Sequence, residues 1–183
     1  MANMPGMGNE PTMPAQLSTL VQRVLDYSSA GIAGLSVEQL ADTWGGRTNS
    51  PGWDVWHVVR TIDNIIHFVF EREQPVWLQQ HFDEQWGMPK VDQGTGQDPN
   101  DAYSMAFPEA AELDRYIKAV RGAVVPRIAA MDMDYLSSTL FIRPWGEIPR
   151  MEAIAHGLIG HGNGHLGRVS MARSLWGLPG LGY

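Results

Sequence analysis

Apolar residues recur at steps of three and four through four long stretches of this chain, a period that helices satisfy and strands do not. Leu17, Leu20, Val21, Val24 and Leu25 predict a first helix over roughly 14–31, stopping near Gly31 and Gly34. The second follows the start signal Asn49, Ser50 and Pro51 and covers roughly 52–73. It is apolar on most sides, through Val55, Trp56, Val59, Ile62 and Ile66, except for a strip of Trp53, His57, Thr61, Asn64 and Phe68. A third helix is expected over roughly 105–131, with Leu113, Ile117, Val120, Val124 and Ile128 in register. Pro108 suits its first turn, and Pro126 is expected to kink it. The last, roughly 149–176, opens at Pro149 and closes before Gly177 and Pro179.

The segments between them are shorter and less regular. Ser36 heads S-V-E-Q-L, a short capped helix stopping at Gly45 and Gly46. Residues 74–106 form an irregular connection in which Trp77 to Trp86 suit a short amphipathic helix. The run VDQGTGQDPND at 91–101 has no hydrophobic period and is long for a structureless link, so it reads as a mobile surface loop, either a lid or an insertion without a role. The bridge YLSSTLFIRPWGEIP is partly extended through Thr139 to Ile142. No internal repeat is visible. The expected architecture is all-α, a four-helix bundle over 14–183 behind a flexible, Gly-, Pro- and Met-rich tail over 1–13.

Composition narrows the chemistry. The chain has 183 residues, 44% hydrophobic and 18% charged, with a net charge of −7. That describes one ordinary globular domain, and with no Lys/Arg-rich run it argues against a nucleic-acid partner. There are no cysteines. Disulfides, thiolate metal sites and a cysteine nucleophile are therefore excluded, and thiol chemistry would need a thiol from outside. The N-terminus lacks the pattern of a secretory signal and no run has the length of a membrane span, so a cytoplasmic location is the expectation.

The final helix carries the candidate chemistry. Ile154, Leu158, His161, His165, Val169, Ala172 and Trp176 share one face, so His161 and His165 stand one turn apart inside an apolar stripe. Two such rings are either core histidines hydrogen-bonded to backbone or to each other, or ligands of one metal ion. A metal needs at least a third ligand, and His57 on the polar strip of the second helix is the best candidate. Three histidines with open positions make a catalytic arrangement rather than a closed structural one.

His67, about eighty degrees off the face of His57, and His156, about 140° from His161, fit that ion poorly. His81 lies in the irregular connection. Arg60 and Arg168 each follow a candidate ligand by three residues and are candidates to clamp a carboxylate or phosphate on a substrate, or else ordinary surface charges. Asp54, Asp63 and Glu152 are candidate acceptors for histidine N–H groups. Gly157, Gly160, Gly162, Gly164 and Gly167 surround the pair, each costing about 1 kcal/mol against alanine in a helix interior. They keep the backbone bare either for a substrate or for a neighbouring helix.

NSPGWDVWHVVRTIDN in the second helix and HGNGHLGRVSMARSLWGLPG at the end resemble the DinB-like (DinB/YfiT) superfamily of bacterial proteins. The carrying features are the histidine after the Trp-rich helix start, the H-x-x-x-H, the L-G-R-V after it and the closing W-G-L-P-G. The resemblance implies a four-helix bundle, a homodimer, and a divalent metal (zinc, nickel or iron) on His57, His161 and His165. It also implies a small-molecule substrate. Several relatives transfer low-molecular-weight thiols, whereas others look like hydrolases or isomerases. A metal-activated thiol or water is thus one expectation, and a non-catalytic metal- or ligand-binding stress-related protein is the other.

Overall fold

Thr12 caps the first long helix, its hydroxyl accepting from the Ala15 amide, and α1 runs Met13–Ile32. The computed structural model describes residues 11–143 and 145–182, so residues 1–10 of the expected tail lie outside the described residues. Ser36 closes a capping box on the short helix Val37–Leu40. Ser50 then caps α2, which runs Pro51–Asp63 and continues as a π-helical stretch, Asn64–Phe70. α3 spans Ala110–Ala129. α4 begins at Arg150–Glu152, widens into a second π-helical stretch, Ala153–Gly160, and returns to α-helix over His161–Leu175.

The four long helices pack as a bundle. α1 lies against α3 and α4, and α2 lies against α4, α1 and α3. Every residue of Pro51–Asp63 is buried, which makes α2 the central helix. On α4 the expected stripe of Ile154, Leu158, Val169 and Ala172 faces inward and is buried. Gly162 lets α4 approach α1 and α2: a Cβ there would stand 2.9 Å from a Val24 methyl and 3.4 Å from a Val58 methyl. Arg173 ties α4 to the end of α1 by donating to the carbonyls of Gly31 and Ala33.

Several boundaries differ from expectation. α2 gives way after Phe70, not at 73, and Arg72 adopts φ +61 just beyond it. α3 starts at Ala110 rather than near 105. Pro108 therefore precedes the N-cap Glu109 instead of occupying the first turn, and the helix continues through Pro126 to Ala129. The bridge is more ordered than its pattern suggested. β1 (Thr139–Ile142) pairs antiparallel with β2 (Gly146–Pro149), Leu140 opposite Ile148.

The 74–106 connection contains three short helices, Val76–Gln79, Phe82–Trp86 and Pro99–Ser104. Asp63, fully buried, anchors it. Its carboxylate accepts from the amides of Val76 and Trp77 at 2.9 Å each and from the Tyr116 hydroxyl of α3 at 2.8 Å. None of the seven tryptophans is exposed, and Trp44 stacks on Trp176 at 5.1 Å. No helix among the described residues is long and apolar enough to cross a membrane.

Candidate metal centre

Two neighbouring helices bring three imidazoles to one point. His57 sits in the second turn of α2, and His161 and His165 lie one turn apart at the start of the α-helical part of α4. The Nε2 atom of His161 is 3.2 Å from that of His57 and 2.9 Å from that of His165. All three ligand atoms lie within 4.8 Å of one another. Ligands about 2.0–2.1 Å from a tetrahedral ion stand roughly 3.3 Å apart, so the spacing is that of a coordination shell.

The outer nitrogens decide the proton positions. His57 Nδ1 faces the carbonyl oxygen of Gln93, which can only accept, so Nδ1 carries the proton and Nε2 presents a lone pair. His165 Nδ1 donates to Asp54 Oδ1 at 2.7 Å, with the same consequence. A neutral His161 brings at most one proton to meet those two lone pairs. The cluster cannot satisfy itself by hydrogen bonding, and a divalent cation fits it.

Burial keeps His57 and His161 neutral. It is the main cause that pushes His57 down to about 3, reinforced by His165 and His161 and opposed by the Gln93 carbonyl. His161 is pushed down to about 4, first by burial and then by His165, with the Gly157 backbone acting in the opposite sense. Neutral imidazole is the form that ligates metal.

A supporting shell fixes these orientations. Arg168 holds Asp54 through two bonds, Nη2 to Oδ1 at 2.6 Å and Nε to Oδ2 at 3.0 Å. Trp53 stacks on His57 with ring centroids 4.7 Å apart, and its indole N–H donates to Gln97. The loop supplying Gln93 turns through Gly94, at φ +86, where a Cβ would stand 2.7 Å from the Trp53 ring. Part of the irregular 91–101 run is thus folded onto the centre.

The structure separates the candidates of the sequence. His57, His161 and His165 converge, whereas the other histidines do not join them. His67 is buried against Asp63, His81 is exposed beside Glu84, and His156 is exposed with its ring edge-on to Trp145. Of the three acidic candidates only Asp54 touches a converging ring. Asp63 serves His67 and the core, and Glu152 is exposed.

Arg60 and Arg168, the candidates for a substrate clamp, are not among the described residues lining the cavity beside the three histidines. Arg60 is 1% exposed, lies 5.0 Å over the Trp77 ring and points Nη2 at the carbonyls of Lys90 and Asp92, bracing the loop that carries Gln93. Arg168 is spent on Asp54, outside the cavity that the three histidines line. A three-residue step turns a side chain about 60° from its predecessor, enough to leave the cavity wall.

That cavity, of about 510 Å³, opens from the three rings between α2, the 93–96 loop and the hairpin. Trp53, His57, Thr61 and Asn64 of the polar strip line it as a continuous row. The fifth strip residue, Phe68, instead points to solvent, and Val69 takes its place. The π-helical stretch adds a residue to the turn and shifts the face by one position. Periodicity at 3.6 could not reveal this, nor could it reveal the Gln93 carbonyl, a backbone atom with no sequence signature.

Comparison with known proteins agrees with the geometry. The family model of the DinB superfamily matches residues 20–169. A crystal structure of a conserved protein from Enterococcus faecalis has a similar fold, with a TM-score of 0.75 and 20% identity, covering 87% of this chain and 94% of that one. No curated protein matches the chain.

Proposed function

The chain belongs to the DinB superfamily, and from that membership and its three-histidine centre we propose that it is a divalent-metal-dependent enzyme of the thiol S-transferase type. The observation carrying this is the convergence of three Nε2 atoms at the inner end of an open cavity. Among the described residues no fourth histidine or carboxylate joins the group, as a closed structural site would require. His57, His161 and His165 would hold the ion. Bound there, the metal would supply a Lewis acid that lowers the pKa of a thiol or water and polarises an electrophile.

The cavity wall favours a thiol over water. Among the described residues no Asp or Glu lines it, so none of them places a carboxylate to take a proton from water. A thiol, with a solution pKa near ~8.5, reaches its nucleophilic form with far less help. The chain has no cysteine, so the thiol comes from a small molecule. Trp53, Ile65 and Trp145 give the cavity apolar surface, while Thr61 and Asn64 offer polar contacts on the same wall as His57. The test is metal analysis of the purified protein, followed by a screen of small thiols against electrophilic acceptors and, separately, of ester and amide hydrolysis. Bound metal with thiol transfer supports the reading. Bound metal with hydrolysis alone would replace the nucleophile by water, and bound metal with neither would favour a non-catalytic metal-binding role.

A further inference from the structure

Two arginines that the metal centre does not use stand at the mouth of the same cavity. Arg72 follows the π-helical end of α2, and Arg143 follows β1; both are exposed at the rim. Neither forms an ion pair with a carboxylate among the described residues, although the chain carries 20 acidic residues against 13 Lys and Arg. Among the described residues no acidic side chain lines the cavity. An acidic protein therefore keeps one concave surface with cations and no anions, and there the potential favours a negative ligand.

Backbone and interior point the same way. Arg72 holds φ +61, a left-handed conformation that glycine or asparagine adopts at lower cost at a helix end. The only ring contact of its guanidinium among the described residues is with exposed Phe68, at 5.8 Å. Deeper in, Thr61 Oγ1 is buried without a hydrogen-bond partner, an orphan that a ligand atom would satisfy. Between rim and depth Ile65, Val69, Ile142 and Trp145 give the wall an apolar surface, and Asn64, Gln93 and Thr95 add polar groups beside it.

We propose that this cavity binds an organic anion with an apolar body, its carboxylate or phosphate held by Arg72 and Arg143 and its body directed toward the histidine centre. The inference names a substrate class for the reading above and rests on it for the identity of the working cavity. The anionic group is the handle, fixed at the mouth by charge-assisted hydrogen bonds, and the opposite end of the molecule is left at the ion-binding nitrogens. In the sequence the candidates for this role were Arg60 and Arg168; the tertiary structure transfers it to Arg72 and Arg143.

Binding is measured on full-length, EDTA-treated protein at pH 8, by calorimetry and by intrinsic tryptophan fluorescence, with octanoate, octyl phosphate and octan-1-ol as probes. At least one anion should bind about tenfold or more tightly than the alcohol, and the preferred one identifies the head group. The double variant Arg72→Asn, Arg143→Gln should bring that anion down to the level of octan-1-ol without changing octan-1-ol binding; asparagine keeps the left-handed backbone available at position 72. Alcohol binding as tight as both anions, no binding of any probe, or an anion preference that survives the double variant would overturn the proposal. Metal uptake by the same preparation is measured separately, so failure of the anion site and failure of the metal centre are read independently.

Discussion

Asp54 and His165 are 111 residues apart in the chain and 2.7 Å apart across the bundle, carboxylate oxygen to imidazole Nδ1. Asp54 is 1% exposed and also receives Arg168, so the carboxylate orients the ring from behind and fixes its tautomer. Replacing Asp54 by asparagine keeps the volume but removes the charge that holds Nδ1–H. Metal affinity should fall by about 10–100-fold, read by competition with a chromophoric chelator, while helical circular dichroism is retained. Unchanged affinity would mean that packing alone positions His165.

The ligand set makes a sharper prediction. His57→Ala, His161→Ala and His165→Ala should each abolish tight metal binding, because two imidazoles and water hold a divalent ion far more weakly than three. His156→Ala should leave metal content intact. His67→Ala should lower thermal stability, since that ring is buried on Asp63, yet still yield metal-loaded protein. Metal content measured per folded monomer distinguishes the two groups.

Acid should weaken the metal-free fold in a defined window. His57 and His161 have native pKa values pushed down to about 3 and about 4, below the ordinary 6.5. Above pH 6.5 both rings are neutral folded or unfolded, and their contribution to stability is fully present. As pH falls below 6.5 the unfolded chain takes up protons that the native rings refuse, so stability drops until the native pKa values are passed. Urea midpoints of EDTA-treated protein between pH 7.5 and 4 should show this loss. The His57→Gln, His161→Gln double variant should show a smaller one; identical pH profiles would contradict the assignment.

Glycines of α4 should respond in opposite directions. Gly162→Ala places a methyl 2.9 Å from a Val24 side-chain carbon and should destabilise, by about 1–3 kcal/mol if the helices cannot separate. A Cβ on Gly167 meets nothing within 4 Å, so Gly167→Ala should stabilise by up to about 1 kcal/mol through helix propensity. Denaturation midpoints of the two variants provide the measurement. Equal effects would mean that contact with Val24 is not what demands glycine at 162.

Local chemistry made much of this protein legible in advance. The apolar periods of Leu17 to Leu25 and of Leu113 to Ile128, and the cap at Ser50, depend on residues a few positions apart, and each long helix forms close to its expected place. The helical face shared by His161 and His165 is likewise a property of one turn. His57 could be named as their partner because a polar strip on an otherwise buried helix is visible before any contact is known.

The remainder depends on how distant segments meet. Neither the chain position of Gln93 nor its side chain indicates that its carbonyl would orient His57. Arg60 and Arg72 look alike in the sequence, one on a helix and one near its end. Burial against Trp77 commits the first to the core, while the π-helical turn and a left-handed residue swing the second to the cavity mouth. Helical period and capping are short-range effects written into neighbouring residues. The choice of which acid, arginine or carbonyl reaches the histidines is made by helix packing across the bundle, which places side chains more than a hundred positions apart within hydrogen-bonding distance.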